Sequence, residues 1–324
     1  MTTPYDNERT LSKGMTPGAG HYRAFDEPVN ALPAGTRLAE FELLSVIGEG
    51  GFGIVYLAHD HSLSRQVAIK EYMPSELAER TQALTVSVRS ERHAETFATG
   101  LRSFINEARL LAQFDHPCLL KVYRFWEAHG TAYMVMPFHA GITLGRSLKQ
   151  SQSPADEAWL RDLLRHLLDA LEQMHEARCY HRDISPDNIL IQPDGRPLLL
   201  DFGAARRVIG DMQRALTVIL KSGYAPVEQY GEMPDMKQGA WTDLYALGAV
   251  MHFAITGQTP QPAVQRFLAD KYQPLAQRAA NRYSPGFLRA IDRALAVHPK
   301  DRPQSAAEMR ALLGPAMSPA QQQP

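Results

Sequence analysis

Cysteine and long apolar runs are nearly absent from this chain. Its 324 residues include two cysteines, Cys118 and Cys179, beside apolar runs and without metal-site spacing, so a disulfide framework is excluded and buried free thiols in a reducing cytoplasm are expected. With no apolar run of about 18 residues and no hydrophobic secretion signal, we expect no membrane segment in this chain. The net charge of -1 predicts that nucleic acid is not a partner.

Two polar motifs in the second half of the chain indicate the chemistry. Residues 181–190 read HRDISPDNIL, and Asp201 opens the tripeptide Asp-Phe-Gly. Phosphoryl transfer needs an oriented hydroxyl group, phosphates held in line with it, and a metal ion that neutralises the negative charge of the phosphate oxygens. Asp183 is the residue expected to accept the hydroxyl proton, while Asn188 and Asp201 carry oxygen ligands that suit Mg²⁺. Either motif alone is usually only a turn, but together they predict phosphoryl transfer.

A glycine-rich segment lies upstream between two strand-like runs. Residues 48–55 read GEGGFGIV and match G-x-G-x-x-G-x-V, in which glycines let backbone amides close over phosphates. A dinucleotide-binding fold requires a following helix, whereas a β-hairpin follows here. The next strand ends at Lys70, placed to hold the α- and β-phosphates. The nucleotide-binding residues expected in the segment are Gly48, Glu49, Gly50, Gly51, Phe52 and Gly53.

Lys70 needs an anionic partner, and a predicted helix over about residues 97–114 offers one. Apolar residues at helical spacing mark its buried face, and Glu107 lies beside that face. We therefore predict an ion pair between Lys70 and Glu107. The segment of about residues 71–100 between the two residues is long, and we interpret it as an inserted strand or loop pair.

These motifs resemble a eukaryotic-like serine/threonine protein kinase, and residues 223–230 (GYAPVEQY) resemble its bacterial members. The resemblance covers about residues 37–314. It implies an α+β, bilobal protein-kinase-like fold, with a small, mainly antiparallel β lobe carrying helix αC and a larger, mainly α lobe. It also implies ATP and Mg²⁺ as cofactors, and serine and threonine hydroxyls of proteins, the chain itself included, as substrates.

The resemblance assigns further positions. Val55, Ala68 and Leu190 are expected around adenine, Met136 behind it, and the backbone of His139 in the hinge, where Pro137 cannot donate. Glu228 resembles the glutamate that ends the activation segment, and Arg302 its partner. Asp243 resembles the buried aspartate that tethers the phosphoryl-transfer loop, residues 181–190, called the catalytic loop below.

The chain divides into four parts by composition and motif. We expect a flexible N-terminal tail over 1–36, the small lobe over 37–137, the large lobe over 138–314 and a second flexible tail over 315–324. In the large lobe, Ser153-Pro154 predicts a helix start. The apolar stripe of that helix comprises Leu160, Leu163, Leu164, Leu167, Leu168, Leu171 and Met174.

One position departs from the usual pattern of serine/threonine kinases. Ser185 stands two residues after Asp183, where those kinases commonly carry a lysine that contacts the transferred phosphate. Lys221 stands where they commonly carry a threonine, three residues before Tyr224. We hypothesise that the two residue types have exchanged places, so that Lys221 reaches the γ-phosphate and Ser185 hydrogen-bonds to Asp183 or Lys221.

The activation segment, from Asp201 to Glu228, also holds candidate regulatory residues. We predict phosphorylation at Thr217, with Ser222 as the next candidate, and Arg182 as the guanidinium that pairs with the phosphate.

Two other functions stay open from the sequence. A pseudokinase that binds nucleotide or serves as a scaffold would keep the same motifs without transfer. A small-molecule kinase also uses an Asp, an Asn and a second Asp, although the glycine-rich loop and the long activation segment favour protein substrates. Nothing in the sequence indicates an oligomeric state.

Overall fold

The computed structural model describes residues 29–151, 153–201, 220–231 and 236–314. Residues 1–28 and 315–324, which hold most of the two expected tails, lie outside the described residues. The strands are β1 (Arg37–Leu38), β2 (Phe41–Gly50), β3 (Gly53–Asp60), β4 (Arg65–Tyr72), β5 (Ala78–Arg80), β6 (Val86–Val88), β7 (Arg124–Ala128), β8 (Thr131–Pro137), β9 (Ile142–Thr143), β10 (Ile189–Ile191) and β11 (Pro197–Leu199). The helices are α1 (Ala94–Leu111), α2 (Leu144–Gln150), α3 (Glu157–Glu176), α4 (Ala240–Thr256), α5 (Ala263–Leu268), α6 (Leu275–Arg278), α7 (Pro285–Ala294) and α8 (Ala306–Leu313).

This order of elements confirms the predicted α+β class. A six-stranded antiparallel sheet, in the order β1-β2-β3-β4-β8-β7, forms the small lobe together with α1. Successive side chains of a strand face opposite sides of a sheet. On one side, the ring of Tyr72 in β4 lies 5.2 Å from that of Phe97 and 5.8 Å from that of Phe104, both in α1. Lys70 shares that side, so α1 occupies the position expected of helix αC.

A hairpin from the segment 71–100 covers the opposite side of the sheet. Strands β5 and β6 pair with each other, and Arg80 at the end of β5 reaches the buried Glu71 of β4. The Glu71 carboxylate accepts hydrogen bonds from Arg80 Nη2 at 2.5 Å and from Tyr56 Oη at 2.7 Å. Arg80 Nε also donates to the carbonyl oxygen of Asn30 at 2.7 Å. The last residues of the segment assigned to the N-terminal tail therefore pack on the small lobe.

Helix α3 carries the predicted apolar stripe but begins later than predicted. All seven stripe residues are buried. The start at Ser153-Pro154 is wrong: the N-cap is Asp156, whose carboxylate accepts from the backbone N–H groups of Ala158 at 2.9 Å and Trp159 at 3.3 Å. An aspartate that satisfies two first-turn donors therefore decides the boundary over a proline signal upstream.

Helix α4 lies inside the large lobe. Its residues from Thr242 to His252 are all buried, and it ends at Thr256. Gly257 follows with a φ of 72°, the left-handed conformation that favours glycine after a helix end. Asp243 is therefore carried into the interior on the first turn of a buried helix. Among the described residues, no helix combines the length and apolarity needed to cross a bilayer.

Strand β10, at the end of the catalytic loop, pairs with β9 and β11 in a small sheet. Ile189 of β10 pairs with Leu199 of β11, and the backbone N–H of Leu200 donates to the carbonyl oxygen of Asn188 at 2.9 Å. This register brings Asn188 and Asp201, which flank the hairpin in sequence, to the same end of it.

Candidate active site

The glycine-rich segment forms the turn between β2 and β3. Gly50 pairs with Gly53, and Gly51 and Phe52 lie at the tip. A Cβ on Gly53 would collide with the carbonyl oxygen of Glu71, so packing requires glycine there. A Cβ on Gly50 or Gly51 would meet no described atom within 4 Å, and neither has a positive φ. Packing and conformation thus do not explain these two glycines, which is compatible with their predicted place beside the phosphates of a nucleotide.

A small apolar cluster lies below this turn, separate from the main core. Val55 of β3 and Ala68 of β4 meet Leu190 of β10 in it, so that both lobes contribute. An apolar surface that is only partly buried suits the flat ring of adenine. Met136, also predicted, is a buried member. The members missed in the sequence are Ile47, Leu120, Leu198 and Leu200, whose apolar character does not distinguish them from ordinary core residues.

The hinge follows β8, which ends at Pro137. Pro137 has no N–H group, so the backbone amide of His139 remains the predicted donor to adenine. The His139 side chain is half-buried, and its Nδ1 lies 3.1 Å from Oε1 of Gln192, just after β10. This contact ties the hinge to the large lobe.

Lys70 lies between two carboxylates from different lobes. Its Nζ donates to Asp201 Oδ1 at 2.6 Å and lies 3.7 Å from Glu107 Oε1. Glu107 is buried, whereas 45% of the Asp201 side chain is exposed. The ammonium group therefore has a fixed anion on the helix side and a more accessible one on the cleft side.

The catalytic loop is organised around Asp183. Asn188 Nδ2 donates to both Asp183 Oδ2, at 2.7 Å, and the Asp183 carbonyl oxygen, at 2.8 Å. These bonds fix the rotamer of the carboxylate. They also use the amide nitrogen of Asn188, which leaves its oxygen Oδ1 as the atom that could bind a metal ion.

Asp243 holds the backbone of this loop from below. Its carboxylate accepts from the N–H of His181 at 2.9 Å, the N–H of Arg182 at 2.7 Å and Nε2 of His175 at 2.8 Å. Burial raises the pKa of Asp243, but these bonds and the nearby histidines outweigh it, so the pKa lies below its ordinary value. The bonds also stabilise Arg182 at a φ of 63°, which is uncommon for a residue with a side chain.

The end of the activation segment is fixed by a buried ion pair. Arg302 donates to Glu228 Oε1 at 2.6 Å and Oε2 at 3.1 Å, and neither side chain is exposed. Thr242 Oγ1 donates to the same carboxylate at 2.9 Å. Gln229 Nε2 donates to the carbonyl oxygen of Arg182 at 2.8 Å. The segment's end is thereby joined both to helix α4 and to the catalytic loop.

Ser185 and Lys221 are in direct contact. Lys221 Nζ donates to Ser185 Oγ at 2.7 Å and lies 3.9 Å from Asp183 Oδ2. Ser185 is fully buried, and about a quarter of the Lys221 side chain is exposed. The ammonium group of Lys221 is therefore beside the carboxylate of the catalytic loop.

The family described as the protein kinase domain matches residues 41–312 of this sequence. The chain belongs to the protein kinase family. It is 32% identical to serine/threonine-protein kinase PknA of Nostoc sp. over 278 residues, 83% of this chain and 46% of that protein. It is 30% identical to serine/threonine-protein kinase C of Synechocystis sp., over 84% of this chain and 49% of that protein. The chain thus spans about half the length of these curated relatives.

Solved structures agree with this family. The apo form of PpkA-294 is 53% identical, with a TM-score of 0.83, and the match covers 88% of this chain and 100% of that one. The PknI kinase domain of Mycobacterium tuberculosis has a TM-score of 0.64 at 22% identity, over 87% of this chain and 98% of that one, which supports the bilobal kinase fold alone. Protein kinases use ATP and a divalent metal ion, so the family assigns both to this chain in general terms.

The kinase's polar residues fit a metal ion that is held partly by nucleotide. The described residues contain no group of three or more His, Cys, Asp or Glu side chains that could hold a metal ion by themselves. Asn188 and Asp201 offer two oxygen ligands at one end of the hairpin of β10 and β11. Mg²⁺ typically binds through one or two protein oxygens plus phosphates and water, which matches this sparse donor set.

Two of the three candidate regulatory residues, Arg182 and Ser222, belong to the described residues. Thr217 lies outside the described residues. Ser222 is exposed and follows Lys221 directly. Arg182 is half-buried, and its guanidinium lies 5.6 Å from the centre of the Tyr180 ring, on which it is partly supported.

Proposed function

We propose that this kinase transfers the γ-phosphoryl group of Mg²⁺-ATP to serine and threonine hydroxyls of proteins, including its own. The observation that carries the proposal is the position of Lys70 Nζ, 2.6 Å from Asp201 Oδ1 and 3.7 Å from Glu107 Oε1. It supports an arrangement in which Glu107 positions the ammonium group of Lys70, and this group binds the phosphates of ATP beside the metal-binding carboxylate of Asp201.

The residues divide the work of positioning and charge. Val55, Ala68 and Leu190 enclose adenine, with Met136 behind it, and the turn at Gly50 and Gly51 covers the phosphates. Asp183, oriented by Asn188, accepts the proton of the attacking hydroxyl. Asn188, through Oδ1, and Asp201 would hold Mg²⁺, which would neutralise charge on the phosphate oxygens when bound.

The test is incubation with radiolabelled ATP and Mg²⁺, alone and with a generic protein substrate, followed by phosphoamino-acid analysis. Label on serine and threonine is expected. The turnover of Asp183→Asn should be about a hundredfold or more below that of the wild type, while the fold stays intact. Asp194→Asn, a matched change at an exposed aspartate in the turn between β10 and β11, should keep normal turnover.

Other outcomes of the same assay identify the alternatives. Binding of Mg²⁺-ATP without transfer would make the chain a pseudokinase. Label on small molecules and not on protein would make it a small-molecule kinase. The buried Glu228–Arg302 pair, which fixes the end of a long segment beside the catalytic loop, supports protein substrates over the second alternative.

Phosphorylation of Thr217 is the regulatory part of the proposal. Its support is the position of Arg182 next to Asp183 and beneath the end of the activation segment, where Gln229 contacts it. Mass spectrometry of the chain after incubation with ATP should show phosphate on Thr217, or on Ser222 as the second candidate. An active sample with both residues unmodified would remove this part.

A cytoplasmic location completes the proposal, with support from the cysteines. Cys118 and Cys179 are buried and form no disulfide, and burial raises the pKa of the Cys118 thiol to about 11, which keeps it protonated and unreactive at neutral pH.

A further inference from the structure

The catalytic loop lacks a cation where its motif would place one. Ser185 occupies the second position after Asp183, and its hydroxyl is neutral, short and fully buried. A developing charge on the transferred phosphoryl group is stabilised mainly by prepositioned donors and cations near it. A kinase with this loop therefore needs a cation from another part of the chain.

Lys221 places one there from the activation segment. Its Nζ is 2.7 Å from Ser185 Oγ and 3.9 Å from Asp183 Oδ2, although 36 residues separate Lys221 from Ser185. Oδ2 of Asp183 thus accepts a hydrogen bond from Asn188 Nδ2 and also has the ammonium group of Lys221 nearby. An ammonium group this close to the proton acceptor is also close to the γ-phosphoryl group, which the attacking hydroxyl must reach.

The backbone around Lys221 is fixed by its surroundings. The Lys221 carbonyl oxygen accepts from the N–H groups of Tyr224 at 3.0 Å and Ala225 at 3.1 Å. Gly223 has a φ of 86°, and a Cβ on it would lie 2.8 Å from Cβ of Thr259. The turn therefore tolerates only glycine at that position and is packed against the loop after α4. A solvated loop lysine would not have this support.

We propose that Lys221 is the catalytic cation for the transferred phosphoryl group, and that Ser185 is its positioning residue; this rests on the proposed kinase function. In the transfer, the substrate oxygen forms a bond to the γ-phosphorus while the bond to the β–γ bridging oxygen breaks. The electron pair leaves with ADP, and the hydroxyl proton passes to Asp183. Lys221 keeps its proton and donates to the phosphoryl oxygens throughout.

The arrangement makes catalysis conditional on a folded activation segment. In the common pattern the corresponding lysine belongs to the catalytic loop, whereas here it belongs to a turn that ends at the buried Glu228–Arg302 pair. Any change that displaces this turn therefore removes a catalytic charge.

Three variants test the assignment through kcat and the affinity for ADP. Lys221→Ala should lose about a hundredfold or more in kcat, because a transition-state donor is removed. Its affinity for ADP and its Tm should change little, since ADP has no γ-phosphate. Ser185→Lys combined with Lys221→Thr should recover part of kcat. Lys237→Ala, at an exposed lysine of the same region, is the matched control and should behave as wild type.

Chemical rescue distinguishes the charge from the shape of the side chain. Lys221→Cys treated with bromoethylamine regains an ammonium group, whereas iodoacetamide adds a neutral amide. Both native cysteines are buried, so the new thiol should react first. At least tenfold recovery by the first reagent alone supports the proposal. Equal turnover of the two modified forms overturns it.

A measurement without catalysis gives a second readout. Acylation of Lys221 by an amine-reactive reagent, quantified by mass spectrometry, should be slower with Mg²⁺ and a non-hydrolysable ATP analogue than with Mg²⁺-ADP. Lys237 should be equally reactive in both. Equal reactivity of Lys221 in the two nucleotide states, near-normal turnover of Lys221→Ala, or a double variant no better than that single variant would each overturn the exchange. Failure of the wild-type chain to transfer phosphate at all would instead overturn the proposed function.

Discussion

Three aspartates of the site have different surroundings, and the differences separate their roles. Asp243 is fully buried and accepts three donors, so it can only hold structure. Asp183 is 9% exposed and fixed by Asn188, which suits a carboxylate that must point at one hydroxyl. Asp201 is 45% exposed, which leaves room for a metal ion and its waters. Residue type alone does not distinguish the three predicted roles, whereas burial and hydrogen bonding support them.

Lys70→Met should abolish transfer while the fold remains. The change keeps the apolar stem and removes the charge that lies between Glu107 and Asp201. We expect a loss of about a hundredfold or more in kcat/KM, equivalent to about 3 kcal/mol of transition-state stabilisation. Steady-state kinetics and circular dichroism measure both parts. Lys121→Met, at an exposed ion pair, is the control and should not change either. A Lys70→Met enzyme with a tenth of normal turnover would contradict the role.

Met136→Ala should let the kinase use an ATP analogue enlarged at N6. Met136 is buried in the apolar cluster with Ala68 and Leu198, so truncation leaves space behind adenine. The cost to stability should be about 2–5 kcal/mol if the cavity stays open. Transfer from N6-benzyl-ATP should appear in Met136→Ala and be absent from wild type.

Val135→Ala is the matched control for this change. Val135 is equally buried on the same strand but faces the other side of the sheet. It should lose stability without accepting the analogue. Acceptance by both variants would place Met136 away from the nucleotide.

At the scale of elements, the inserted hairpin of β5 and β6 is held by one buried ion pair. The Glu71 carboxylate is fully buried, and Arg80 is its cationic partner. Arg80→Met should therefore destabilise the chain by about 3–5 kcal/mol, because an unpaired charge stays buried. Urea unfolding measures the change. Arg89→Met, at the exposed Arg89–Glu79 pair of the same hairpin, should cost about 0–1 kcal/mol.

A double variant shows whether the buried charge is the cause. Arg80→Met combined with Glu71→Met should be more stable than Arg80→Met alone, since no charge is left buried. Tyr56, which donates to Glu71, keeps the recovery incomplete. A double variant less stable than the single one would mean that the hairpin depends on packing and not on the pair.

Local motifs and periodicity predicted much of the fold and the site. The α3 stripe follows from 3.6-residue spacing, and Asp183, Asn188 and Asp201 follow from short motifs that encode single loops. The start predicted for α3 is wrong because several polar residues compete for one N-cap position. The contacts of Glu71 with Arg80 and of His175 with Asp243 could not be predicted, since they depend on how separate elements pack. The assigned roles of the site residues stay predictions.

For the whole molecule, the nucleotide is expected to connect two lobes that meet at polar and apolar surfaces. Lys70 of the sheet reaches Asp201 of the large lobe, and Val55 and Ala68 share one apolar cluster with Leu190. A ligand that fills the space between them binds the folded chain only. Its binding free energy is then added to the free energy of unfolding.

Addition of Mg²⁺-ADP should therefore raise Tm, and removal of the metal should reverse most of the rise. At a hundred times Kd the gain is about 2.7 kcal/mol, or roughly 5 °C for a chain of this size. Differential scanning calorimetry with ADP and Mg²⁺, then with ADP and EDTA, measures it. Asp201→Ala should lose the Mg²⁺-dependent part because one of two oxygen ligands is gone, whereas Asp194→Asn should keep it. An equal rise with EDTA, or an unchanged rise in Asp201→Ala, would mean that these residues do not hold the metal beside the nucleotide.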